Sequence, residues 1–257
     1  MRKHTKILTI LLATLSTSTL WAARGAKGNT LALSSGIAFS APSDAVFLNP
    51  ANLADGSMSM LRGVWVVDSE VPMAHLTGSS TNAGFGMGYI KQADGGNFFE
   101  AGLGFNLNST KLGFSLNSTN GEDIDGDVGL NIDLAKTRLA IVAKGVSGQM
   151  DRLDFGIGFF DSQYRFEFDI KKPSPFDSAT DFFDSFLFDF GFAVNAHPFT
   201  LSLGTDFSYA NSEFSDFDFH AGLDIALGKS FSILALYRGW PQERGSSEWI
   251  AGLKYTF

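Results

Sequence analysis

The chain has 257 residues, with 19 Lys plus Arg against 27 Asp plus Glu and no cysteine. A formal charge of -8 excludes a broadly basic nucleic-acid binder, and the lack of cysteine excludes disulfides, thiolate metal sites and a cysteine nucleophile. The 28 glycines argue against an all-helical fold, since each costs about 1 kcal/mol in a helix interior, while 44% hydrophobic residues exclude a disordered chain.

Residues 1–23 read as a secretory signal peptide. Arg2, Lys3 and Lys6 form its basic start, Ile7 to Leu15 its apolar run, and Ala22-Ala23 its cleavage site. The apolar run is too short for a spanning helix, which needs about 20 residues. No later stretch holds 18 consecutive apolar residues, so a helical membrane protein is excluded. The chain is expected to be exported, and export without cysteine suits a bacterial envelope protein.

Residues 24–57 follow no regular rhythm. They carry a small-residue run at Ser34–Ala38, an Asp-Ala-x-Phe stretch at Asp44–Phe47, and Asn49-Pro50-Ala51. Asn-Pro is a turn signal, because proline forces its predecessor into extended geometry. This segment resembles the amino-terminal segment of the FadL-like long-chain fatty-acid transporter family and of the related PorV-like barrels. The resemblance implies a fourteen-stranded outer-membrane barrel with the segment inside it as a plug. It assigns the plug to Asp44, Phe47, Asn49, Pro50 and Ala51. It also implies passive transport of small hydrophobic solutes or, in the PorV-like alternative, a non-transporting scaffold. Members are usually longer, with large outer loops, whereas the longest outer connection expected here is Lys171–Phe183.

Residues 58–257 alternate apolar with polar or small residues, the period of a sheet with two unlike faces. Phe217, Phe219, Ala221, Leu223 and Ile225 make one face, and Asp216, Asp218, His220, Gly222 and Asp224 the other. The runs are about ten residues long, as a tilted membrane-spanning strand requires. Laid out in order they give fourteen strands, an even number as bacterial barrels require. Without the hairpin around Asp68–Ser69 the count is twelve. With both termini in the periplasm, the inner turns are short and most outer connections longer, Ser118–Ile124 and Ala210–Ser215 among them.

With Phe and Leu toward lipid, the lumen is lined by Arg165, Asp189, Asp206, Asp216, Asp218, His220, Asp224 and Arg238, together with many glycines. Such a lining either favours cations or pairs its charges across a closed lumen. The glycines either make room for a plug or ligand or bend the strands. Asp123-Ile-Asp125-Gly-Asp127 lacks the spacing of a calcium loop and reads as a solvated acidic loop. His220 has Asp218 and Asp224 near it in sequence, but no nucleophile motif accompanies it, so no enzyme is expected. No metal site or cofactor is expected either. The last strand puts Trp249, Tyr255 and Phe257 on one face, which resembles the carboxy-terminal assembly signal of outer-membrane proteins. The partners this implies are outer-membrane lipid and lipopolysaccharide, the barrel-assembly machinery and a small hydrophobic ligand, with no nucleic acid.

Overall fold

The computed structural model describes residues 37–39, 42–55, 59–66, 71–80, 82–91, 96–148, 150–175, 185–210, 213–239 and 248–257. Residues 1–36, which include the expected signal peptide, lie outside the described residues. Among those described, fourteen antiparallel strands close into one barrel. They are β1 (Met60–Val66), β2 (Val71–Ser79), β3 (Ala83–Lys91), β4 (Asn97–Leu107), β5 (Thr110–Thr119), β6 (Glu122–Leu134), β7 (Thr137–Lys144), β8 (Arg152–Phe160), β9 (Tyr164–Pro173), β10 (Ser185–Ala196), β11 (Phe199–Ala210), β12 (Glu213–Ala226), β13 (Phe231–Gly239) and β14 (Glu248–Thr256). Sequence neighbours pair throughout, and β1 pairs with β14 to close the ring. Closure matters because lipid offers no water to a free backbone N–H or C=O. β1 and β2 pair in unbroken register from Met60↔Thr77 to Val66↔Val71, so the count is fourteen and not twelve.

The near rim, which holds the chain end, has connections of two to four residues. At the far rim they run from two to eleven. Two expected outer loops are replaced by continuing strand. β5 and β6 meet at Asn120 and Gly121, whose φ values of 57° and 75° make the left-handed pair a tight hairpin needs. β11 reaches Ala210 and β12 begins at Glu213. The Asp123–Asp127 stretch is likewise not a loop: it lies within β6.

Phe85, Leu103, Phe114, Ile141, Phe192 and Leu201 point outward and stay exposed, as a lipid-facing belt must. Aromatic pairs flank the belt. Tyr237 and Trp249 sit 4.9 Å apart at the far rim, and Tyr255 and Phe257 5.8 Å apart at the near rim. The three residues assigned to the carboxy-terminal signal are thus split between the two rims. The Phe257 amide donates to the Ser59 carbonyl at 3.0 Å and fastens the seam.

Two short helices lie inside the barrel. Helix α1 (Pro42–Leu48) starts with proline at its first position, where no N–H is needed. It ends at Asn49, because Pro50 cannot continue it. A 3-10 helix (Pro50–Asp55) follows, and Pro50, Ala51, Asn52, Leu53 and Ala54 are buried. Ala45, Val46, Phe47 and Leu53 form a core with Val64, Ile90, Phe98, Leu234, Leu236 and Ile250 from the wall. This wall patch departs from the expected polar lumen: β1, β3, β4, β13 and β14 are apolar on the inner face too where they meet α1. Burying one such side chain as large as Phe47 contributes roughly 1.5–3 kcal/mol.

Candidate functional site

Glycines let the inner segment lie against the wall. A Cβ at Gly113 would fall 2.1 Å from the Ala51 nitrogen, and one at Gly129 2.1 Å from Asn49 Oδ1. Gly88 faces the Phe47 ring, Gly104 faces Pro50 and Ala54, and Gly158 faces the Phe39 ring. Of the two expected uses for these inward glycines, room for an inner segment is the one seen at these positions.

Side-chain amides then lock the segment in place. Asn49 Nδ2 donates to the Ile37 carbonyl at 2.8 Å and to Asn131 Oδ1 at 2.7 Å, while its Oδ1 accepts the Ala51 amide at 3.0 Å. Asn52 Nδ2 also donates to Ile37 O, and Asn131 Nδ2 donates to Asn52 Oδ1 at 2.6 Å. Asn49, Asn52 and Asn131 are all fully buried, so each missing bond would leave an unsatisfied polar group.

Ions hold both ends of the segment. Toward the near rim, Asp55 and Asp133 share Lys111 and Arg138, with both Lys111 contacts at 2.6 Å. Toward the far rim, Lys144 donates to the Phe47 carbonyl, left open at the end of α1, and pairs with Asp127 at 3.2 Å. The backbone at residues 37–39 binds acids of β9: Ile37 N donates to Asp169 at 2.9 Å, and Ala38 N to Glu167.

Beyond Phe47, on the far-rim side, lies a cavity of about 90 Å³. Phe47 and Phe98 form its apolar floor, with Glu100, Asp127, Lys144 and Arg152 around it. Arg152 grips Asp154 through two bonds of 2.7 and 2.8 Å. Ser115 Oγ donates to Glu100 Oε1 at 2.6 Å.

The acids expected in the lumen gather on the opposite side. Asp169, Asp189, Asp206 and Asp218 are successive cross-strand partners from β9 to β12. Lys171 pairs with Asp189 at 3.1 Å, and Lys254 pairs with Asp224. Two of these acids, Asp189 and Asp224, are thus matched by a lysine, and Asp169 accepts the Ile37 amide. His220 meets Asp206 at 3.5 Å, across the strand, and not Asp218 or Asp224. Register decides this, because His220 lies opposite Gly204, one pleat from Asp206. Arg165 is exposed near the near-rim end of β9. The side chains of Asp44, Asp216 and Arg238 are outside the described residues.

Of the five residues assigned to the plug, Phe47, Asn49, Pro50 and Ala51 are buried in the lumen. Sequence reasoning missed Asn52, Lys111, Glu100 and Arg152. For Lys111, Glu100 and Arg152 the one available signal was a charge at an inward position of a strand.

The fold is that of a bacterial outer-membrane β-barrel. The chain superposes on the CymD monoaromatic hydrocarbon channel with a TM-score of 0.59 at 13% identity, covering 86% of this chain and 94% of that one. It superposes on Omp33 of Acinetobacter baumannii with a TM-score of 0.54 at 12% identity, covering 78% and 97%. No family model matches the sequence, and no curated protein matches it. The exposed apolar belt places this barrel in the outer membrane, in contact with its lipids.

Proposed function

We propose that the protein is a FadL-like barrel that passes small hydrophobic solutes passively across the outer membrane, with residues 24–57 as its plug. The observation that carries this is the inner segment itself, seated on a glycine floor and facing an apolar patch of the lumen wall. A water-filled porin has a polar interior. An apolar stripe beside the plug offers a hydrophobic solute a route that water does not. The fold shared with a monoaromatic hydrocarbon channel supports the same reading. The solute enters at the far rim, displaces or bypasses the plug, and leaves toward the periplasm. The chain's own residues bind and exclude; no bond is made or broken.

A second reading, a PorV-like scaffold, is favoured by the four-ion cluster of Asp55, Lys111, Asp133 and Arg138 that ties the segment down. Single-channel conductance separates the two. The transport reading expects a nearly silent full chain, a conducting variant lacking residues 24–57, and faster apolar-solute flux into vesicles carrying the full chain. Two silent proteins that both migrate as folded barrels, with no flux, overturn it in favour of the scaffold.

A further inference from the structure

We propose that the cavity above Phe47 binds a small organic ammonium ion, with Glu100 as the carboxylate that receives it. The inference rests on the transport reading and narrows its solute class to amines with a short apolar body.

The charges around the cavity leave one place unfilled. Arg152 is matched by Asp154, which takes both of its bonds. Lys144 is matched by Asp127 and also holds the Phe47 carbonyl. Asp127 in turn accepts the Gly145 amide at 3.0 Å. Glu100 is the buried acid of this lining left without a salt bridge among the described residues. It is 4% exposed and lines the cavity, and the Ser115 hydroxyl donates to one of its two oxygens. Asp127 stands beside it and adds a second negative charge. Asp127 also lies within hydrogen-bonding reach of Glu100 and the Lys144 ammonium acts on both, so two buried acids share one cation, and burying an acid without a full partner is costly.

The floor suits the rest of such a ligand. Phe47 and Phe98 lie 6.2 Å apart, centroid to centroid, and present apolar surface to whatever sits above them. Aromatic faces attract ammonium groups and accept alkyl chains. An anionic solute meets the opposite situation: both basic groups are already engaged, and two carboxylates repel it.

The test uses the refolded full chain in detergent. Binding of n-butylamine, butyrate and n-butanol is measured by calorimetry at neutral pH and at about pH 9, at both of which the amine is charged. The expected result is butylammonium binding at least tenfold tighter than either of the others. Glu100→Gln should remove that advantage and leave butanol binding unchanged. Butyrate binding as tightly as the amine overturns the proposal, and this ranking needs no variant. An unchanged amine affinity in a correctly folded Glu100→Gln also overturns it. Apolar-solute flux through the full chain is measured in parallel. Flux without amine preference removes this inference alone, whereas no flux removes the transport reading whatever the amine does.

Discussion

Gly113 has no room for a side chain, because the Ala51 backbone occupies the space a Cβ would take. The neighbour here is backbone, so no rotamer change can relieve the clash. Gly113→Val should therefore push the 3-10 helix off the wall while β5 keeps its ladder, since valine suits a strand. The expected result is a folded barrel whose conductance rises severalfold toward that of the variant lacking residues 24–57. An unchanged, silent barrel would mean that the segment does not block conduction. A second residue-scale test concerns Asp161, in a near-rim turn, which pairs with Lys136 at 2.5 Å. The Lys136 ammonium, with help from the Ser162 amide, holds the Asp161 carboxyl at a pKa of about 2, below its ordinary 3.8. A depressed acid stabilises the fold above its ordinary pKa and loses that contribution as pH falls through about 2. Both groups are open to water, so the effect on stability is small. A carboxyl titration followed by NMR should show the low midpoint, returning toward 3.8 in Lys136→Gln.

At the scale of elements, the Asn120–Gly121 turn tests how far the far-rim strands are self-supporting. Gly121 holds φ at 75°, which a β-branched residue adopts at a cost of about 1–3 kcal/mol. Gly121→Val should lower the denaturant midpoint of the barrel without changing its conductance, because the turn is remote from the inner segment. The turn also marks where reading by period falls short. All fourteen strands were legible from alternation, because one face meets lipid and the other does not. Strand ends beyond the membrane were less so, since alternation fades where neither face is lipid. At residues 118–124 the Asn-Gly pair was the better guide. Asn49-Pro50-Ala51 could be located from its break in rhythm. Its partners could not, because Asn131 and Arg138 are fixed by cross-strand register and by the placement of a segment some 80 residues away.

For the whole molecule, which face of each strand is which was readable, but the lumen's division into two halves was not. Strands β1 to β9 meet the inner segment or its ions, with β13 and β14 adding to its apolar core, while β9 to β12 carry the row of aspartates. Both halves look alike in sequence, as charges and glycines at alternate positions. What distinguishes them is contact with one irregular stretch that precedes the barrel. The expected loop asymmetry held only partly, because strands at the far rim extend into what the sequence reads as loop.

The seam joins the first strand to the last, from Met60↔Thr256 to Val66↔Ile250. Every other pairing in the wall links immediate neighbours in sequence, so this one closes by far the largest loop of chain. The inner segment is covalently continuous with the strand that waits longest for its partner. An inner segment seated while the cylinder is still an open sheet is sealed in when the two ends meet. A chain that lost its last strand would suffer twice, with two raw edges at β1 and β13 and an inner segment left in a wall that never closes.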